Sequence, residues 1–146
     1  MAEKKHLFHP LKGKNMEKYK ILFLLMILLC ISCGNNKISI KVGSALISSS
    51  DNQILRSLTL ENDSLLFAYQ ILLKDGCLGL SSINLNRVND AYVITYGNSV
   101  IENKKFHLQP DAIYIISNYS IPDAKSHALE FKTNPRGNVK SVKEVK

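Results

Sequence analysis

Short alternations of apolar and polar residues divide much of this chain into strand-length pieces. Ile38, Ile40 and Val42 alternate with Ser39 and Lys41, the period of a half-buried strand. Ser48 to Asn52 is a polar break. Ile54 to Leu60 reads as a second strand, with Leu58 and Leu60 on one face and Ser57 and Thr59 on the other. Asn62-Asp63-Ser64 is a turn. Tyr92 to Tyr96 is strand-like and stops at Gly97-Asn98, and Ala112 to Ser117 is another strand. Leu129, Phe131 and Thr133 then alternate with Glu130 and Lys132. Asn134-Pro135-Arg136-Gly137 has the residue order of a type I turn. A last strand is expected over Val139 to Val142.

Leu65 to Lys74 is apolar on nearly every side and admits two readings. As a strand it is buried on both faces. As a helix it has Asp63 as a cap and Lys74-Asp75-Gly76 as a stop. The flanking strands favour the strand. The pattern predicts an all-β fold, a small antiparallel β-sandwich over residues 38–146.

One apolar run breaks the pattern. Lys18 and Lys20 precede the unbroken stretch Ile21 to Ile31, followed by Ser32, Cys33 and Gly34. Eleven residues in a helix span roughly 16 Å, while a bilayer core of about 30 Å needs about 20 residues. The run is too short for a permanent span. Its order is that of a secretion signal: a basic start, an apolar centre and small residues at the cut. With a cysteine directly after the cut, Met16 to Gly34 resembles a bacterial lipoprotein signal ending at Cys33. Cys30 stands where that signal usually has an aliphatic residue. Cys30 as the modified residue would put bulky Leu29 at the cleavage position, and ordinary cleavage after Ser32 is a further alternative. The resemblance implies a diacylglycerol thioether on Cys33 and an acyl chain on its amino group, an anchor of more than one chain. Residues 1–32 are then leader and signal, 33–37 a lipidated cysteine and tether. Residues 1–15 do not belong to such a signal, which suggests Met16 as the true start.

Charge changes meaning once the leader is set aside. The formal net charge is +7, but six lysines and two glutamates lie before Cys33, so more than half of it leaves with residues 1–32. The remaining cations are scattered, with only Lys104-Lys105 adjacent. No clustered basic face of the kind nucleic acid requires is visible. Of the three cysteines, Cys77 alone remains free, so no internal disulfide is expected. Between Gly76 and Leu78 it reads as a small buried residue and not as a nucleophile.

A fold marker lies at Phe106 to Tyr114. Leu108, Pro110 and Tyr114 stand at the L-x-P-x-x-x-Y spacing of the tyrosine corner and resemble a late corner of fibronectin type III domains. The resemblance implies that the Tyr114 hydroxyl bonds to backbone upstream and that Leu108 packs into the core. It covers roughly Ala91 to Pro135. The tryptophan usual in an early strand of that family is missing. The marker concerns stability and carries no activity.

Candidate chemistry is thin. His107 reads as a solvent-facing strand residue and His127 as a loop residue. They lack the short spacing of a zinc site, so no metal is expected. Asp51 follows three serines, but no G-x-S-x-G elbow accompanies it. Asp111, Asp123 and Glu130 are ordinary surface carboxylates at this level. Neither a P-loop nor a dinucleotide fingerprint occurs, so no cofactor is expected. The loop Asn118 to Lys125 is a connection with the composition of a binding surface.

The expectation is a non-enzymatic, lipid-anchored envelope protein, held to a membrane through Cys33 and presenting a sandwich to an envelope protein or ligand. An alternative is an inhibitor or immunity lipoprotein that neutralises a periplasmic toxin or lytic enzyme. A hydrolase would need Asp51, His107 or His127 to converge. No acidic run follows Cys33 and no Asp stands directly after it. By the same resemblance, this favours the periplasmic face of an outer membrane.

Overall fold

The computed structural model describes residues 20, 23, 35–66 and 68–145. The chain divides into two compact units, Met1–Cys33 and Gly34–Lys146. In the first, Lys20 and Phe23 are helical and exposed. The rest of the signal-like run, with Cys30 and Cys33, lies outside the described residues, as do residues 1–15.

The second unit is an all-β sandwich. Its strands are β1 (Ile38–Ile40), β2 (Leu46–Ser49), β3 (Ser57–Asn62), β4 (Tyr69–Leu73) and β5 (Ser82–Asn84). They continue with β6 (Tyr92–Tyr96), β7 (Ser99–Ile101), β8 (Ile113–Asn118), β9 (His127–Thr133) and β10 (Val139–Glu144). One sheet has the order β1-β2-β5, the other β10-β9-β8-β3-β4-β6-β7. All pairings are antiparallel.

Register explains the core. Leu129, Ile116, Leu60, Tyr69 and Tyr96 lie directly opposite one another across five strands of the large sheet. A second row runs His127, Asn118, Leu58, Ile71, Ile94 and Ile101. Because side chains alternate between faces with period two, these rows share one face. That face meets Ile38, Ile47 and Ile83 of the small sheet in a single buried cluster. Full burial of each such aliphatic side chain contributes about 1.5–3 kcal/mol.

Several expectations are corrected by this architecture. The second strand begins at Ser57, not Ile54, because Leu55 leaves the large sheet to bond Leu80 in the loop before β5, N–H to O at 2.9 Å. Ser48 and Ser49 belong to β2 and not to a polar break: Ser48 pairs with Ser39 and Ser82. The ambiguous segment is strand over Tyr69–Leu73, paired on both sides by β3 and β6. Cys77 is exposed, not buried.

Candidate functional site

The sandwich has two poles, and the chain enters it at the one that carries the starts of β1, β3, β6 and β9 and the ends of β2, β4 and β8. Asn36 is the entry point, buried to 2 % exposure. Its Oδ1 accepts the Ile121 N–H at 2.9 Å. Its Nδ2 donates toward the carbonyls of Ile121 at 3.0 Å, Ala124 at 3.2 Å and Lys125 at 3.4 Å. A carboxamide alone supplies both the acceptor and the donors that this cradle needs.

The network extends inward. Asn118 Nδ2 donates to the Asn36 carbonyl at 2.9 Å. Asn118 Oδ1 accepts the Ser120 N–H at 3.0 Å and also the Ser120 hydroxyl. Ser120 Oγ in turn accepts the Arg56 N–H at 2.7 Å and the Ser57 N–H at 3.2 Å. Asn36, Asn118 and Ser120 are all buried, so each polar group is paired where an unpaired one would be costly. The loop 118–125 is thereby fixed to the chain entry on one side and to the segment 56–57 on the other.

A tyrosine pins the neighbouring loop. Tyr92, fully buried, accepts the Leu80 N–H at 2.8 Å and donates its hydroxyl proton to the Leu55 carbonyl at 2.8 Å. Burial raises its pKa above the ordinary 10.0, opposed by the Leu80 hydrogen bond and the charge of Arg56. The loop it holds, residues 74–81, carries exposed Cys77 and Leu78, the latter 91 % exposed. Gly79 admits the side chains of Ile54 and Leu73: a Cβ there would lie 2.2 Å from Ile54 Cγ2.

The candidate chemical residues do not assemble. Asp51 accepts from the Asn35 amide. His127 opens β9 and is not a loop residue; its Nδ1 accepts the Ile38 N–H at 3.4 Å and its Nε2 lies 3.3 Å from Glu144. His107 is exposed and sits outside any strand. It borders an apolar pit of about 290 Å³ lined by Leu60, Tyr69, Phe106 and Tyr114, whereas His127 borders a separate groove with Glu144 and Lys37. Glu130 pairs with Lys143 at 3.0 Å. A further groove of about 560 Å³ beside β5 gathers Arg87, Asp90, Lys104 and Lys105. Among the described residues, no three of His, Cys, Asp and Glu come together as metal ligands would.

The corner residues lie at the far pole, where β8 begins. The Tyr114 hydroxyl accepts the Gln109 N–H at 2.8 Å, and its ring stacks on Phe131 with centroids 5.2 Å apart. Leu108 packs against the core, and Pro110 is exposed in the turn before Asp111. Thr133, on the same face of β9 as Leu129 and Phe131, is fully buried beside them. Its hydroxyl donates to the Gln109 carbonyl at 2.6 Å and accepts the Ala112 N–H at 2.9 Å.

No protein-family model, curated protein or solved structure matches this chain.

Proposed function

We propose that this chain is a lipid-anchored protein of the bacterial cell envelope, with Cys33 as the lipidated residue and the sandwich as a non-enzymatic binding or structural module. The observation that carries the reading is the short basic-apolar-small run that ends at Cys33. The buried Asn36 supports it: the folded domain takes hold of the chain three residues after the proposed anchor. The scattered carboxylates and separated histidines favour binding over catalysis. The absence of an acidic run after Cys33 favours a periplasm-facing domain, and the absence of Asp directly after it favours the outer membrane.

Two features support kinship in form with fibronectin type III and immunoglobulin-like sandwiches. One is the Tyr114 hydroxyl bonded back to Gln109. The other is the strand order: β1-β2-β5 against β9-β8-β3 repeats the A-B-E and G-F-C arrangement of such domains. The β6–β7 hairpin and β10 extend that plan.

Intact mass and membrane fractionation test the anchor. Wild-type protein is expected in the membrane fraction, starting at Cys33 with added acyl mass, and Cys33→Ala in the soluble fraction. A soluble, unacylated wild type starting elsewhere overturns the reading.

A further inference from the structure

The pole that holds Asn36 also carries a set of apolar side chains turned to water. Ile54, Leu78, Leu80, Tyr119 and Val145 are all exposed there, Leu78 most of all at 91 %. The first four lie on adjoining segments, and Val145 follows the edge strand β10, its N–H on the Ala128 carbonyl at 3.1 Å. Ile54 packs over Gly79, Leu55 bonds Leu80, and the Tyr119 N–H donates to the Ser57 carbonyl at 2.9 Å.

These side chains are held out. The 74–81 loop is closed by the Cys77 N–H to the Lys74 carbonyl at 3.2 Å and fixed at Leu80 by both Leu55 and Tyr92. A scattered exposed leucine needs no explanation, whereas a group of apolar residues on a rigid rim marks a contact surface.

The chain itself says what covers it. Three residue steps separate Cys33 from Asn36, which at full extension reach only about 10 Å. The opposite pole lies a strand length further, on the order of 20 Å. Whatever holds Cys33 therefore faces the pole of Leu78. Lys37, Arg56, Lys74 and Lys125 there are matched by Asp51, Asp75, Asp123 and Glu144, so attraction to anionic headgroups plays no leading part. Tyr119 has the amphipathic ring that favours a lipid–water boundary.

We infer that the Asn36 pole rests on the lipid surface that bears the anchor, with Leu78, Ile54 and Tyr119 entering its headgroup layer. This rests on the lipid-anchor reading. It fixes the orientation of the sandwich: the corner of Tyr114 and the apolar pit beside it point away from the membrane, toward any partner.

The exposed Cys77 provides the probe. The acylated protein, starting at Cys33 and labelled at Cys77 with an environment-sensitive fluorophore, is reconstituted into phosphatidylethanolamine/phosphatidylglycerol vesicles. A second sample carries the label at Asn98→Cys, on the far-pole turn, in a Cys77→Ser background. The expected result is several-fold brighter, blue-shifted emission at Cys77, quenched by spin-labelled lipid, with Asn98→Cys at its aqueous value. Leu78→Asp is expected to return the Cys77 signal to the aqueous value while the protein stays vesicle-bound. Acylated, vesicle-bound protein with aqueous emission at both positions overturns the orientation alone. Unacylated protein that leaves the vesicles overturns the anchor, and the orientation with it. A Cys77 probe shielded from aqueous quencher but untouched by spin-labelled lipid shows a protein contact on this pole and also overturns the inference.

Discussion

Asn118 donates its side-chain amide to the backbone carbonyl of Asn36 at 2.9 Å, joining the end of a central strand to the point where the chain enters the domain. The two residues are separated by 82 positions. Together they make this pole one unit in which the entry, the loop 118–125 and the segment 56–57 are tied to one another.

Asn36→Ala removes the acceptor for the Ile121 N–H and the donors for three carbonyls. Each buried group left unpaired costs about 1–3 kcal/mol. We expect a fall in Tm and a marked gain in hydrogen exchange at the Ile121 amide. Asn36→Asp, which replaces the donors with an acceptor, is expected to destabilise at least as much at neutral pH. Unchanged exchange at Ile121 in both variants contradicts the cradle.

Tyr114→Phe keeps the stack on Phe131 and deletes only the bond from Gln109. The expected loss is about 1 kcal/mol. Tyr114→Ala empties a buried site and is expected to cost about 3–5 kcal/mol. Denaturant unfolding separates the two; equal losses argue that the hydroxyl and not the ring holds the corner.

Tyr92 makes stability depend on alkaline pH. Burial raises its pKa in the folded state above 10.0, so the folded chain retains a proton that the unfolded chain releases. Its contribution is complete below pH 10.0 and is lost as pH rises through the folded pKa. Tyr92→Phe is expected to be less stable at neutral pH by about 1–3 kcal/mol, from the unpaired Leu80 N–H and Leu55 carbonyl. It is also expected to show a shallower decline above pH 10.0 than the wild type. Parallel declines in the two proteins contradict the assignment.

Gly137 adopts φ +75°, and a Cβ there would meet the Leu108 carbonyl oxygen at 2.6 Å. Gly43 has a similar φ of +82° but open space around it. Both alanine variants carry the left-handed strain, about 1–2 kcal/mol. Gly137→Ala is expected to lose more, because the 134–138 turn must also move off the corner. Chemical denaturation of the pair measures the difference, and equal losses remove the contact from the account.

What the sequence disclosed depended on where the apolar face pointed. β3 and β9 alternate visibly because every second residue meets the core, as with Leu58 and Leu60 or Leu129 and Phe131, while β6 and β8 show as short apolar runs. β2, β5 and β7 were missed. They are three or four residues long and serine-containing, so pairing with neighbours makes them strands more than their own pattern does. The corner was legible because its three residues lie close in sequence. Asn36 was not: a tether asparagine and a buried one look alike until a loop 85 positions away closes over it. Cys77 was misjudged for a related reason. Its loop is placed by the distant hydroxyl of Tyr92, and that placement turns Cys77 outward.

Among the described residues, the outermost strand of the large sheet, β10, has no neighbouring strand on one side, which leaves one row of backbone donors and acceptors open. Such a row invites a second copy to add on. Two copies pairing antiparallel about Ser141 and Val142 would set Lys140 of each against Lys143 of the other, and like charges directly opposite destabilise a strand pair. The exposed lysines of β10 thus oppose that pairing of two copies along this edge.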